Sequence, residues 1–244
     1  DLRRLIDLRN FCFWPQPDVA ASAHGDLSWS ILRMPPICDN LRDTMPGQIL
    51  LFVTGVAVAY ALGCFSTSYY YVRLVTGSDI RQEGSSTAGA RNVSRLLGRK
   101  AGIVVAVADI TKGIAAAWIG THIANSVALS PLIMAAVVIG HIWPVQLGFR
   151  GGKGLAAGFG ALLWLSPATA GVAAAVNVCL SLLVRSATLG SLISTALVPL
   201  IAYILGAGGW FALLLAIPCG LVLFAHRSNF RLAIAAKFRG AGPW

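Results

Sequence analysis

The sequence predicts an all-α polytopic membrane protein of about seven transmembrane helices, some of them short, with glycine-rich loops facing the cytoplasm. Three observations carry that reading. The 244-residue chain is 57% hydrophobic and only 11% charged, with a mean hydropathy of +0.74, and soluble chains rarely sustain that apolarity. Four stretches, 46–72, 113–149, 154–184 and 186–226, hold no Asp, Glu, Lys or Arg, and each exceeds the roughly 20 apolar residues that one crossing needs. Basic residues gather between these runs. A soluble buried-core protein is disfavoured because the runs show no polar face.

Residues 1–45 differ in kind. They mix five Arg and six Asp with Pro15, Pro17, Pro35 and Pro36, and lack both a periodic apolar face and the regions of a signal peptide. They are expected to form an N-terminal extension, with Met45 as the natural start and residues 46–244 as the membrane domain. The first crossing is expected over 49–72, where Gly55, Ala59 and Gly63 make a small-xxx-small stripe suited to close helix contact. A polar loop follows over 73–100. The second and third helices are expected over 101–121 and 131–148, joined by an uncharged turn near 125–130. The run 154–184 would make one helix of about 46 Å at 1.5 Å per residue, too long for one straight crossing. Ser166–Pro167 is its natural break, and the first product, 155–165, is short enough to be re-entrant. The last two helices are expected over 187–205 and 210–225, around a turn at 206–209.

The formal charge is +10, from 19 Lys+Arg against 9 Asp+Glu. From Met45 onward there are 14 basic and 3 acidic residues. With seven crossings, the charged segments at 73–100, 149–153, Arg185 and 226–240 all fall on one face, and the uncharged turns fall on the other. The positive-inside rule makes the charged face cytoplasmic. Charge spread over interhelical loops points to topology and an anionic ligand rather than to nucleic acid. Cys12, Cys38, Cys64, Cys179 and Cys219 form no CxxC, so neither a metal nor a disulfide framework follows. Cys64, Cys179 and Cys219 lie in apolar runs and read as small buried packers.

Two polar strips interrupt the apolar chain: GSSTAGARNVSR at 84–95 and GFRGGKG at 148–154. Small residues that bare backbone N–H groups beside fixed cations suit a phosphate-bearing ligand. Gly84 and Gly89 offer close approach, Ser85, Ser86 and Thr87 offer hydroxyls, and Arg91 and Arg95 supply charge. Neither strip is a Walker A loop, because Ala90-Arg91 stands where GK[ST] is required and Lys153 is followed by Gly154. Asp109 and Lys112 sit at i,i+3 inside an expected helix. Charges at membrane depth are costly, so the two read either as an internal ion pair or as the edge of a site. His141 precedes Pro144 near a helix end, and His226 and Asn229 at i,i+3 offer two donors on one side. No HxxxxD and no Ser-His-Asp set occurs. Chemistry here is expected to lean on electrostatic positioning, with no cofactor and no metal.

The string GSDIRQEGSSTAGARNVSRLLGRKAG, then D-x-x-K-G at 109–113, then GHIWPVQLGFRGGKGLAAG, then HRSN at 226–229, resembles the acyl-phosphate:glycerol-3-phosphate acyltransferase family of bacterial inner-membrane enzymes. The resemblance runs from about Gly47 to the C-terminus. It implies a seven-helix fold whose cytoplasmic site transfers a fatty acyl group from acyl phosphate to glycerol 3-phosphate, giving lysophosphatidic acid for phospholipid synthesis. It implies an acceptor-phosphate clamp of Ser85, Arg95, Lys153, His226 and Asn229. Gly84, Ser86, Thr87, Gly89, Arg91, Asn92, His141, Gly151, Gly152 and Gly154 would contact substrate, and Asp109 and Lys112 would support the site. The substrate's own phosphate, rather than a side chain, would take the hydroxyl proton.

The departures fall mostly in the first strip. Ser86, Thr87 and Arg91 stand where the family usually has Gly, Asn and Thr. The early GSxP reads Gly63-Cys64-Phe65-Ser66, and the Glu usual after HRxN has no counterpart, Ala235-Ala236-Lys237 lying there. Two rivals stay open. A transporter of a small phosphorylated anion would line its path with Asp109 and Lys112, although the two halves show no repeat. A non-catalytic relative would bind glycerol phosphate only.

Overall fold

The structure, a computed structural model, describes residues 45–228. The N-terminal extension and Asn229 lie outside the described residues. The described residues from Leu50 onward fall in one compact unit. The α-helices of the described residues are α1 (Met45–Cys64), α2 (Thr67–Thr76), α3 (Ala90–Leu97), α4 (Arg99–Ala124), α5 (Ser130–Ile142), α6 (Leu155–Leu165), α7 (Pro167–Leu183), α8 (Ala187–Ile204) and α9 (Gly209–Ala225).

The first expected crossing is not one helix. It breaks at Phe65–Ser66 between α1 and α2, and the break leaves the last carbonyls of α1 without helical partners. Within a membrane such groups must be satisfied inside the protein. Lys112 Nζ donates to the Phe65 carbonyl at 2.5 Å and Gln146 Nε2 donates to that of Cys64 at 2.5 Å. Tyr60 Oη reaches the Trp143 carbonyl at 3.1 Å. Three side chains from later in the chain, or aimed at it, therefore fasten the break.

Close packing follows from the glycines and alanines. The Gly55–Ala59–Gly63 stripe of α1 is spent inside the fold: a Cβ on Gly55 would strike the Gly120 carbonyl of α4, and one on Gly63 would strike Val137 of α5. Gly113 of α4 meets Ala157 of α6, and Gly160 of α6 meets Ile110 of α4, in the same backbone-to-backbone manner. A cluster of Ala117, Met134, Ala161, Leu162, Ala170, Val198 and Leu215 ties α4 to α9. Large apolar residues point the other way. Leu74 is 86% exposed and Leu183 79%, as lipid-facing side chains are.

Gly47–Thr76, Arg99–Ala124, Ser130–Leu147 and Ala187–Ile204 are long and apolar enough to cross a membrane by length and composition; α6, α7 and α9 are shorter. With 11 residues, α6 is about 16 Å long at 1.5 Å per residue, roughly half a hydrocarbon core. Its junction with α7 falls at Ser166–Pro167, as the sequence suggests. There Ser166 N–H caps Leu162, and the Ser166 and Thr169 hydroxyls bond to one another at 2.7 Å. Cys64 and Cys219 are buried, but Cys179 is exposed: it lies on the outer side of α7, where only lipid would cover it.

Candidate active site

The two polar strips meet. The amide of Ala88 donates to the Gly151 carbonyl at 3.2 Å, joining the first strip to the second. Arg81 adds another fastening. Its guanidinium grips Asp79 at 2.6 Å and donates to the Leu147 carbonyl at 2.6 Å. The bonds from Arg81 hold the Asp79 carboxyl below the usual carboxylate range. Arg81 was not among the expected site residues; an Asp-x-Arg pair beside the strip is the only sequence sign of it.

Within the first strip, Asn92 is the organiser. It is buried, its Oδ1 accepts the Ser85 N–H at 2.9 Å, and its Nδ2 donates to the carbonyls of Ile80, Glu83 and Thr87 at 3.2, 3.0 and 3.1 Å. Both ends of the amide are therefore engaged with backbone, so the structure gives Asn92 a loop-holding place instead of the expected contact with substrate. Gly84 has a φ of +54° and abuts Asn92 Oδ1, where a Cβ would not fit. Ser86 also takes a left-handed φ, +55°. The hydroxyls of Ser85 and Thr87 pair at 3.0 Å on the outer side of the loop.

The second strip folds back over the end of α5. Gly148 and Phe149 both have φ of +61°, which reverses the chain. Gly151 N–H and Gly152 N–H then donate to the Ile142 and His141 carbonyls, each at 3.0 Å. The glycines are needed for this approach: a Cβ on Gly151 would strike the His141 carbonyl, and one on Gly152 would strike the His141 ring. Gly154 has a φ of +79° and packs on Val138 and Ile142. The small size of Gly151, Gly152 and Gly154 thus answers to α5, where the sequence reading assigned it to a ligand. Gly89 alone among the expected substrate glycines has nothing within 4 Å of an added Cβ.

His141 is buried beneath Gly152, with its Nε2 edge against that glycine and its Nδ1 3.8 Å from Asp109. Asp109 and Lys112 form an ion pair at 3.1 Å, and Thr67 donates to Asp109 at 3.0 Å. Of the two readings of this pair, the geometry is that of an internal lock across the α1–α2 break. Removing one partner of such a pair typically costs about 3–5 kcal/mol.

Above this floor gather the cations. Arg91 and Arg95 are four residues apart on the exposed face of α3, whose opposite face buries Asn92 and Val93. Lys153 is half-buried, and burial, then the charges of Arg95 and Arg91, hold its ammonium below the ordinary 10.5. Partial burial, then Arg95, pull Arg91 down as well. His226, at the end of α9, is buried with Nδ1 bonded to the Val222 carbonyl at 2.8 Å. A carbonyl only accepts, so Nδ1 carries the proton, and Nε2 becomes a second donor only when the ring is charged. Burial, joined by the charges of Lys153 and Arg91, holds the ring below its usual 6.5 against the pull of the Val222 carbonyl. A cavity of about 240 Å³ opens at Lys153, lined also by Thr87, Gly152, Ile142, Trp143 and Ala225. Arg227 and Ser228 also line it; they are neighbours of His226 that the sequence reading left out. Arg227 lies over the Phe224 ring.

Fold and site together define an integral membrane protein with a cationic, anion-sized cavity where its glycine-rich loops converge. The chain belongs to the glycerol-3-phosphate acyltransferase family, which matches residues 53–236. It is 38% identical over 192 residues to Glycerol-3-phosphate acyltransferase 1 of Desulfitobacterium hafniense, covering 79% of this chain and 94% of that one. It is 34% identical over 202 residues to the glycerol-3-phosphate acyltransferase of Clostridioides difficile, covering 80% and 98%. Among solved structures it is similar to PlsY (YgiH), an integral membrane glycerol 3-phosphate acyltransferase. The glycerol 3-phosphate form of that protein superposes with a TM-score of 0.68 at 29% identity, over 81% of this chain and 94% of that one. Its lysophosphatidic acid form gives 0.68 at 28%, over 79% and 94%.

Proposed function

We propose that this protein transfers a fatty acyl group from acyl phosphate to the 1-hydroxyl of glycerol 3-phosphate, giving lysophosphatidic acid. The observation that carries the reading is a cavity lined by Lys153, Arg227 and Thr87. Arg91 and Arg95 are near enough for their charges to act on Lys153, Arg91 and Lys153 near enough to act on His226, and the Ser85 hydroxyl is bonded to that of Thr87. Family membership and the two forms of the solved relative support it. The glycerol oxygen bonds to the acyl carbonyl carbon, the bond from that carbon to the phosphate oxygen breaks, and the departing phosphate takes the hydroxyl proton. Cations that hold two anions side by side lower the barrier by positioning and by charge, with no side-chain base required. Ser85, Arg95, Lys153, His226 and Asn229 are the clamp proposed for the acceptor phosphate.

An apolar cavity of about 310 Å³, walled chiefly by α6, α7 and α8 and bordered by Met134, Phe159, Leu162, Val198 and Val222, offers room for an alkyl chain. A packed layer of Ile142, Leu155 and Val222 lies between it and the cationic cavity. The protein is proposed to reside in the bacterial inner membrane with the site facing the cytoplasm, since the basic loops gather at that end. The test is direct: purified protein is given acyl phosphate and glycerol 3-phosphate, and lysophosphatidate is measured. Product is expected, and Lys153→Ala is expected to abolish it while membrane insertion persists. Full turnover by that variant would refute the role of Lys153, and phosphate flux across vesicles without product would favour the transporter.

A further inference from the structure

We propose that His141 is a positioning residue: one internal water joins its Nδ1 to Asp109, and the buried ion pair thereby holds the Gly151–Gly152 turn that presents Lys153 to the cavity. The kinetic part of its test rests on the acyltransferase reading above. Three observations lead to it.

The first is a set of buried polar atoms without a hydrogen-bond partner among the described residues. They are His141 Nδ1, Ser66 Oγ and Ser68 Oγ, on residues only 6%, 4% and 1% exposed. A buried polar group is costly until it finds a partner. Ser66 and Ser68 flank Thr67, whose hydroxyl donates to Asp109 Oδ1 at 3.0 Å, and His141 Nδ1 stands 3.8 Å from the same oxygen. That separation is too long for a direct hydrogen bond, and such gaps are where bridging waters sit. A buried water typically makes about three hydrogen bonds to groups left over in this way. Asp109 and His141 supply two of them, and the hydroxyls beside Thr67 are the remaining candidates.

The second observation gives the ring its direction. A carboxylate only accepts, so the imidazole proton belongs on Nδ1, the nitrogen turned toward Asp109. The other edge, at Nε2, lies where a Cβ on Gly152 would strike it. The His141 carbonyl also accepts the Gly152 N–H at 3.0 Å. Ring and backbone of one residue thus meet the same glycine, which directly precedes Lys153, and both Gly152 and Lys153 line the cavity. A glycine has little of its own to restrain it, and the ring supplies the missing contact.

The third observation is the anchor at the far end. Lys112, paired with Asp109 at 3.1 Å, donates to the Phe65 carbonyl at the α1–α2 break. The link Phe65–Lys112–Asp109–His141–Gly152 therefore runs from the broken crossing to the lysine loop. Misplacing a substrate-holding group by about 1 Å lowers a rate by as much as a hundredfold, so such a link bears on turnover as well as on folding.

The test uses full-length protein in detergent and three variants. His141→Asn carries an amide donor at the place of Nδ1. His141→Gln carries its amide at the place of Nε2 and leaves that of Nδ1 without a donor. His141→Met fills the space with neither. With glycerol 3-phosphate as the varied substrate, kcat/KM should fall about ten- to a hundredfold in His141→Gln and His141→Met, and His141→Asn should recover most of it. Amide exchange at 151–154 should quicken in the first two variants while α7 and α8 stay protected. The glutamine variant keeps the experiment decisive if the methionine variant does not fold. A crystal structure of wild type should show one water within hydrogen-bond distance of both His141 Nδ1 and Asp109. The proposal is overturned if that water is missing, if His141→Gln matches wild type, if His141→Asn loses as much as the others, or if exchange quickens equally in every helix. Failure of wild type to form lysophosphatidate would instead overturn the acyltransferase reading, and the exchange and crystallographic arms would still report on His141.

Discussion

Replacing Asn92 with alanine would remove the one side chain that shapes the first glycine-rich loop. Four hydrogen bonds disappear: one accepted from Ser85 N–H and three donated to the carbonyls of Ile80, Glu83 and Thr87. The amide shares two N–H groups among the three carbonyls, so the set counts as about three full bonds, and at about 0.5–1.5 kcal/mol each they sum to about 1.5–4.5 kcal/mol. Only the bond to Ile80 is fully buried, so water recovers part of the loss at the others, and about 1–3 kcal/mol is the expected net cost. Loops open locally when their protection falls by that much. Amide exchange over 83–93 is therefore expected to quicken about five- to a hundred-and-fiftyfold, with α5, α6 and α9 unaffected, and turnover should fall at least tenfold. Asn92→Asp keeps the acceptor but turns a carboxylate toward three carbonyls, and should be no better than alanine. Had Asn92 served by touching substrate, the variant would lose binding while its loop amides stayed protected. That outcome would refute the loop-holding role of Asn92.

Two other perturbations read the same region. Ser86 holds a φ of +55°, a conformation that costs an L-residue about 1–2 kcal/mol, partly offset by the extra backbone freedom glycine loses, about 0.5–1 kcal/mol. Ser86→Gly should thus stabilise the protein by about 0.5–1 kcal/mol in detergent unfolding, and a lowered Tm would show that the serine itself holds the loop. The Lys153 prediction concerns pH. Its ammonium titrates below 10.5 in the empty protein, and a bound dianion raises it again. Below the lowered value the lysine is charged with or without ligand, so binding is insensitive to pH. Above it, binding must take up a proton, and glycerol 3-phosphate affinity weakens as pH rises toward the restored value. Calorimetry in two buffers of different ionisation heat should detect that uptake in wild type and not in Lys153→Arg, whose guanidinium stays charged; equal heats in wild type would contradict it.

Much of the helical order was legible because bilayer crossings depend on local composition. The uncharged runs, the break at Ser166–Pro167 and the turn near 125 all correspond to observed boundaries. The break at Phe65–Ser66 was not legible. No charge interrupts 49–72, although Ser66, Thr67 and Ser68 follow one another at the break, and its tolerance depends on Lys112 and Gln146, which arrive from 47 and 82 residues away. The short helix α3 was readable in principle. Ala90, Val93 and Leu97 recur on one face opposite Arg91 and Arg95, but eight residues inside a polar loop are easily taken for loop. Cys179 shows a further limit: an apolar run marks membrane depth without telling a lipid-facing position from a core one.

The glycines carry the sharper lesson. In the sequence, Gly84, Gly89, Gly151, Gly152 and Gly154 look alike, small residues beside cations, and all suggest room for a phosphate. In the fold, four of them are small because a neighbour is already there: Asn92 against Gly84, the end of α5 against Gly151 and Gly152, Val138 against Gly154. Their work is to close the second strip onto His141 through Gly152 and to lay the two strips edge to edge through Ala88 and Gly151. Only Gly89 keeps open space before it, and it is the residue that opens the helix bearing Arg91 and Arg95. The motif therefore acts mainly by placing charge, and the cavity left for a ligand opens beside Lys153 and Thr87.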